Sequence, residues 1–149
     1  RFEYIIRNDR LVFIDDYAHH PEELKALIKG AKSLFRQRKC TVIFQPHLYT
    51  RTRDLADGFA EALDLADEVI LLPVYPAREL PIEHVDSNMI TARMKMENKK
   101  VLAKEELMNW AKNDYIKNVN TEFGGVIITA GAGDIDMLVE PLKNELKSI

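Results

Sequence analysis

The feature that most constrains this chain is an alternation of two periodicities. Short apolar runs at residues 11–14, 40–44, 68–72 and 124–129 are separated by longer stretches in which apolar side chains recur every three or four positions. Runs of four to six apolar residues fit buried strands, and the spaced stretches fit helices with one apolar face. After residues 11–14, Pro21 suits a first helical position and Glu22 and Glu23 complement the positive end of a helix dipole. Leu24, Leu27, Ile28, Ala31, Leu34 and Phe35 then form one face. Leu55, Phe59, Leu63 and Ala66 predict a second helix, and Leu107, Trp110 and Ala111 a third, over about residues 105–117. Ile135, Leu138, Leu142 and Leu146 predict a C-terminal helix that Pro141 should kink or restart. Ser87 is placed to cap a short helix running to about residue 95, and residues 101–103 read as an edge strand. At the start, two extended runs flank Asn8-Asp9-Arg10, a polar link suited to a hairpin. Strands alternating with helices imply an α/β, Rossmann-like fold: a mostly parallel sheet of about six strands, the N-terminal one antiparallel, with helices on both faces.

A chain of 149 residues can bury one core of useful size, so a single domain is expected. A net charge of −3, with Lys and Arg dispersed, gives no electrostatic footprint for nucleic acid. The lone cysteine, Cys40, lies inside an apolar run and reads as a small buried hydrophobe, which suits a reducing compartment. No apolar stretch approaches the roughly 18 residues of a membrane span, and no signal-peptide apolar region is visible, so a cytoplasmic protein is expected. The chain starts at Arg1, without methionine, and enters an extended pattern at once; the expectation is a piece of something longer.

Polar chemistry collects where the predicted strands end. Residues 15–21 bring two carboxylates, a phenol and two imidazoles together; residues 45–53 and 131–134 follow two other strands. In open α/β sheets the loops at the carboxyl ends of the strands build the ligand crevice, so the convergence of three such clusters outweighs any one alone. Each has a plainer reading. Asp15 and Asp16 fit a polar strand end as well as a hydroxyl-bearing ligand such as a ribose, and His20 fits a helix cap, leaving His19 the better candidate for a ligand contact. Arg51 and Arg53 oppose the dipole of the helix they precede, which calls for an anionic partner. Residues 131–134 lack GxGxxG, and GxxxxGK[ST] occurs nowhere in the chain. Adjacent histidines without a further ligand motif do not make a metal site, and none is expected. The irregular, proline-rich residues 74–87 are long enough for a functional loop.

Taken in order, Asp15-Asp16-Tyr17-Ala18-His19-His20-Pro21, residues 44–54 (Phe-Gln-Pro-His-Leu-Tyr-Thr-Arg-Thr-Arg-Asp), Tyr75-Pro76-Ala77-Arg78-Glu79 and Gly131-Ala132-Gly133-Asp134-Ile135 resemble the C-terminal domain of the bacterial Mur ligases, over essentially the whole chain. The match is strongest to the member that adds L-alanine to UDP-N-acetylmuramate. The resemblance implies a cytoplasmic, ATP-dependent and magnesium-dependent amide ligase of peptidoglycan synthesis. In that chemistry the lactyl carboxylate becomes an acyl phosphate, the alanine amine attacks, a tetrahedral intermediate collapses and phosphate leaves. It also implies an N-terminal UDP-sugar-binding domain and a central ATPase domain outside these 149 residues, with the phosphate loop and magnesium ligands in the latter. No catalytic residue is then expected here, and the domain alone is expected inactive.

By position, Asp16 resembles the family's aspartate near the ATP ribose, and Arg1 an arginine that also contacts the nucleotide. Tyr17, His19 and Arg51 resemble residues around L-alanine, with Arg51 as the carboxylate clamp. His20, His47, Arg53, Arg78 and Asp134 are further candidates. Several relatives read His-Arg-Tyr where this chain has His47-Leu48-Tyr49, so a second carboxylate-binding arginine is missing. Arg51 then acts with a backbone donor, or Arg53 or Arg78 compensates. Two other readings remain: a stand-alone module binding a nucleotide or amino acid, and a related ligase attaching a peptide.

Overall fold

The computed structural model describes residues 1–149 and contains the expected six-stranded sheet, in the order β1-β2-β6-β3-β4-β5. β1 (Glu3–Arg7) pairs antiparallel with β2 (Leu11–Asp16). The turn between them closes on Asn8, whose side-chain oxygen accepts the amides of Arg10 and Leu11 at 2.8 and 3.0 Å. All other pairings are parallel: β3 (Lys39–Phe44), β4 (Glu68–Leu71), β5 (Lys99–Val101) and β6 (Gly125–Ala130). β6, last in the chain, lies between β2 and β3, with Asp16, Ala130 and Phe44 in register. The polar segments after these three strands therefore leave the sheet at one level.

Side chains alternate across the sheet and build two cores. On one face Val12, Ile14, Val42, Phe44 and Ile128 pack against α1 (Pro21–Leu34), α2 (Tyr49–Leu63) and α3 (Asn88–Thr91). On the other, Leu11, Phe13, Ile43 and Ile127 meet Leu107, Trp110, Ile135 and Leu142. These come from α4 (Lys104–Asn109), the π-helical turn Trp110–Tyr115 that follows it, and the Asp134–Leu138 3₁₀ turn that leads into α6 (Val139–Leu146). A last α turn, α5 (Ile116–Asn118), completes the chain's path to β6. Fully burying each such side chain is worth about 1.5–3 kcal/mol, so both layers are needed to hold a sheet buried on both faces. Cys40 is one of these core residues, and burial pushes its thiol up to about 12, consistent with an inert hydrophobe.

Several boundaries differ from the sequence expectation for physical reasons. α2 begins six residues before its apolar spacing does, because its first turn faces the strand ends and carries polar side chains; non-helical angles at Leu55 mark where the two parts join. Ser87 stands at the N-cap position of α3 as expected, but its hydroxyl makes no cap bond; it donates to the Leu72 carbonyl at 2.5 Å and ties the loop to the end of β4, and the helix ends at Thr91, not near residue 95. The edge strand lies two residues earlier than expected. Pro141 is the third residue of α6, where its missing N–H costs little, so the restart expected there occurs at Val139, at the 3₁₀-to-α transition.

The π turn places the Tyr115 ring over Gly125. The Tyr115 hydroxyl is buried with no hydrogen-bond partner, and burial pushes its pKa up. A β-carbon at Gly125 would land on that hydroxyl. Gly125→Ala should therefore destabilise the fold by about 1–3 kcal/mol through overpacking. Tyr115→Phe, which removes only an unpartnered polar group, should be neutral or stabilising and should recover most of that loss when combined with Gly125→Ala. Urea unfolding of the two single variants and the double variant measures the coupling.

Candidate functional site

Asp15, only 3% exposed, anchors the end of β2. It accepts a hydrogen bond from the Thr129 hydroxyl at 2.7 Å and pairs with the Arg1 guanidinium. Arg1 also donates to the Tyr17 hydroxyl at 2.6 Å and lies 4.1 Å above its ring centre. Asp16 turns the other way, its Oδ1 accepting the Ala18 amide at 2.9 Å and tightening the turn. The two adjacent carboxylates thus differ: Asp15 is spent inside the fold, and Asp16 lies half-buried at the edge.

The loop then enters α1 on a Glu23 latch. Glu23 Oε1 accepts the amides of His19 and His20 at 3.2 and 3.1 Å, and these bonds, that of His19 first, hold its carboxyl below the usual range. His20 occupies the N-cap position, as its plainer reading had it, with its side chain exposed. His19 is half-buried, its Nδ1 2.7 Å from the Tyr17 carbonyl oxygen. Its ring meets that of His47 edge to face at 6.3 Å. The approach of α2 to the start of α1 depends on Gly58, where a β-carbon would sit 3.0 Å from Pro21 Cγ.

The segment after β3 is braced by the 73–87 loop. His47 and Tyr75 form a parallel bridge, with rings stacked at 5.6 Å. The Leu48 amide donates to the Tyr75 carbonyl at 2.8 Å, and the Leu48 carbonyl accepts the Thr52 amide and hydroxyl at 3.1 and 2.8 Å. Leu48 has φ of 76°, a conformation costing a side-chain-bearing residue about 1–3 kcal/mol, and these bonds on both sides of it hold it there. The anionic partner that the first turn of α2 calls for lies within the chain. Glu79 accepts the Thr50 amide at 3.1 Å and its hydroxyl at 2.5 Å, and that hydroxyl bond is the main reason its carboxyl stays below the usual range.

Arg53 turns outward to Asp54 at 2.8 Å, and Arg78 is exposed with no ion pair. Arg51 is different. It is half-buried, directs Nη1 to His47 Nδ1 at 3.0 Å and to the His47 carbonyl at 3.3 Å, and has no carboxylate within ion-pair distance. Burial first, then Arg51, hold the His47 imidazole below the usual histidine range.

The Gly-rich turn after β6 is a packing device. Gly131, at φ of 144°, fits against the Gln45 carbonyl, and Gly133 leaves no room for a β-carbon beside Tyr75. Gln45 bridges Asp134 at 2.7 Å and the Ile135 amide at 2.9 Å, and Lys104 pairs with Asp134. Burial opposes ionisation of Asp134, but these two partners outweigh it and leave the carboxyl below its usual range. Asp134 is therefore committed to fastening the 3₁₀ turn. Asp15, Gln45, Tyr75 and Glu79 stand in the polar clusters and motifs visible in the sequence, but without the partners they take here; Lys104 carries no such signal. In the sequence, Arg51 and Arg53 call for an anionic partner at this helix start, and Glu79 is the one the fold supplies there.

The only group of three potential metal ligands, His19, His20 and Glu23, has its ligand atoms within 4.8 Å of one another. Two imidazoles at the positive end of a helix, with the carboxylate already holding two amides, do not fit magnesium, which takes oxygen ligands. What the edge offers is a guanidinium free of carboxylates beside two imidazoles and an exposed phenol, a donor-rich surface for an anionic group. A separate cavity of about 460 Å3, lined in part by Glu68, Trp110 and Tyr115, opens at the opposite edge of the sheet and includes none of these residues.

Residues 1–133 match the family described as Mur ligase, glutamate ligase domain. The UDP-N-acetylmuramate--L-alanine ligase of Cytophaga hutchinsonii is 48% identical over 143 residues, which are 96% of this chain and 29% of that protein. The crystal structure of UDP-N-acetylmuramate-alanine ligase from Thermotoga maritima superposes with a TM-score of 0.73 at 29% identity, covering 99% of this chain and 30% of that one. A domain of a Haemophilus ducreyi protein, solved by itself, shares the fold with a TM-score of 0.65 at 17% identity, covering 98% of this chain and 99% of its own. This chain spans about three-tenths of the length of the curated relatives it matches. With the fold, the motif order and the family match in agreement, the chain belongs to the Mur ligase C-terminal domain family.

Proposed function

We propose that this chain is the amino-acid-binding domain of an ATP-dependent ligase that joins L-alanine to UDP-N-acetylmuramate in peptidoglycan synthesis. Arg51 carries the reading: a half-buried guanidinium at the strand edge, held by His47 and without a carboxylate of its own. An amino acid supplies that carboxylate, and a guanidinium matches it with two parallel hydrogen bonds. His19 and Tyr17, on the facing loop, complete the amino-acid side. Asp16 and Arg1 lie toward the nucleotide, with Arg1 held in place by Asp15 and Tyr17.

Binding of the UDP-sugar, and the ATP and magnesium chemistry, fall to further domains of the same protein. The chain has no GxxxxGK[ST] phosphate loop, and its one group of potential metal ligands does not suit magnesium. Its own residues orient the amino acid and present the amine to the activated carboxyl group; by themselves they do not activate that carboxyl.

The isolated chain should show no ATP-dependent alanine ligation in a phosphate-release assay, whereas the full-length enzyme should. In the full-length enzyme, Arg51→Ala should raise the KM for L-alanine by about 10²-fold, the loss of a charge-assisted pair worth about 1.5–3 kcal/mol. The KM for ATP should change far less. An unchanged KM for alanine removes Arg51 from the site.

A further inference from the structure

The two imidazoles at the strand edge are held in opposite tautomers. His19 Nδ1 lies 2.7 Å from the Tyr17 carbonyl oxygen. A carbonyl only accepts, so Nδ1 carries the proton and Nε2 has the lone pair. His47 Nδ1 lies 3.0 Å from Arg51 Nη1. A guanidinium only donates, so here Nδ1 has the lone pair and Nε2 carries the proton. The rings meet edge to face, 6.3 Å between centres. One loop therefore presents a base to the crevice, and the loop facing it presents a neutral donor beside a cation.

From this pairing we propose that His19 Nε2 takes the proton from the ammonium group of the incoming amino acid, while His47 Nε2–H and the Arg51 guanidinium hold its carboxylate. The assignment rests on the reading of Arg51 as the carboxylate clamp. An ammonium N–H bond breaks and its proton passes to Nε2, leaving a neutral amine and an imidazolium. The freed lone pair forms the C–N bond to the acyl phosphate carbon as the C=O π pair moves onto oxygen, and the return of that pair expels the phosphate. The C–O bond to phosphate thereby breaks, its bonding pair leaves with phosphate, and the second nitrogen-bound proton passes to solvent. No oxidant or further reactant is required.

The groups around His19 favour that role. From α1, the Glu23 carboxylate faces the ring, Oε1 lying 3.7 Å from Nδ1, and the His20 ring lies 4.7 Å away. From the segment before α2, the His47 ring lies 6.3 Å from that of His19, and burial first, then Arg51, disfavour its charged form. Of the other candidate bases, the Tyr17 hydroxyl accepts from Arg1, and Asp16 Oδ1 accepts the Ala18 amide while its carboxylate is assigned to the nucleotide side.

Two measurements test the assignment. The isolated domain has closed cores on both faces, and a domain of the same fold has been solved alone, so two-bond proton–nitrogen NMR on the isolated chain can read the tautomers directly. At pH 8, His19 should carry its proton on Nδ1 and His47 on Nε2. His47 should titrate below about 6.5, and Arg51→Ala should raise that value. A His19 proton on Nε2 overturns the proposal.

In the full-length enzyme at pH 7, His19→Gln should lower kcat for alanine ligation by about 10²-fold with the KM for alanine little changed, and the deficit should shrink as rising pH deprotonates the amine unaided. A loss carried by KM alone and constant with pH makes His19 a contact only, which overturns the base while leaving the amino-acid site intact. Absence of alanine ligation by the wild-type enzyme overturns the underlying reading instead. Should the variant not fold, the wild-type profile decides: kcat must fall below the pH at which NMR shows His19 titrating in the bound enzyme, and a limb elsewhere rejects the base.

Discussion

The site depends on one constraint, the parallel register of three neighbouring strands. β6 pairs on both sides, aligning Ala130 with Asp16 of β2 and with Phe44 of β3. A slip of two residues along any of them would move a loop by about 7 Å, enough to separate His19 from His47. The register is fixed from within by alternating apolar side chains that fill two cores, and at the strand ends by polar bonds across strands. The Thr129 hydroxyl donates to Asp15, and the Gln45 backbone N–H donates to the Ala130 carbonyl at 3.1 Å. These bonds align the backbone that Asp16, His47 and Arg51 extend from.

A second tier of residues converts aligned loops into aimed side chains. Tyr75 stacks on His47, pairs with it through the backbone and closes over Gly133, so one aromatic ring joins the segments that follow β3, β4 and β6. Glu79 supplies the negative charge missing from the first turn of α2. That turn can therefore present Arg51 to the crevice although a cation there opposes the helix dipole. The strained backbone at Leu48 belongs to the same arrangement, since its carbonyl is turned to hold Thr52.

Much of this was legible in the sequence. The alternation of short apolar runs with helical spacing established the strands, the two-faced covering and the edge at which polar clusters would meet, because apolar periodicity is what burial selects. The motif order identified the family. Element ends were harder to read where polar turns carry the backbone: α2 starts on six residues with no apolar face, and Ser87 bonds to Leu72 where local sequence offered a helix cap. At the site the residues were visible and their commitments were not. Asp15 and Asp16 are indistinguishable as letters, yet strand alternation sends one into the fold and the other to the edge. Arg51 and Arg53 likewise diverge only once helical geometry turns one toward His47 and the other toward Asp54. Long-range pairs such as Gln45 with Asp134 leave no local signature.

The place of β6 also bears on how the protein is made. The central strand is the last to leave the ribosome, and until it arrives β2 and β3 have open edges where the finished sheet has none. The bond between Asp15 and Thr129 joins residues 114 positions apart, so the loop that must close before the crevice exists is nearly the whole domain. A nascent or truncated chain ending before residue 125 therefore holds every ligand-facing group in the first two loops but no scaffold to set them against each other. The scaffold of the crevice is completed only when the last strand inserts, and the chain is most exposed to mispairing just before it.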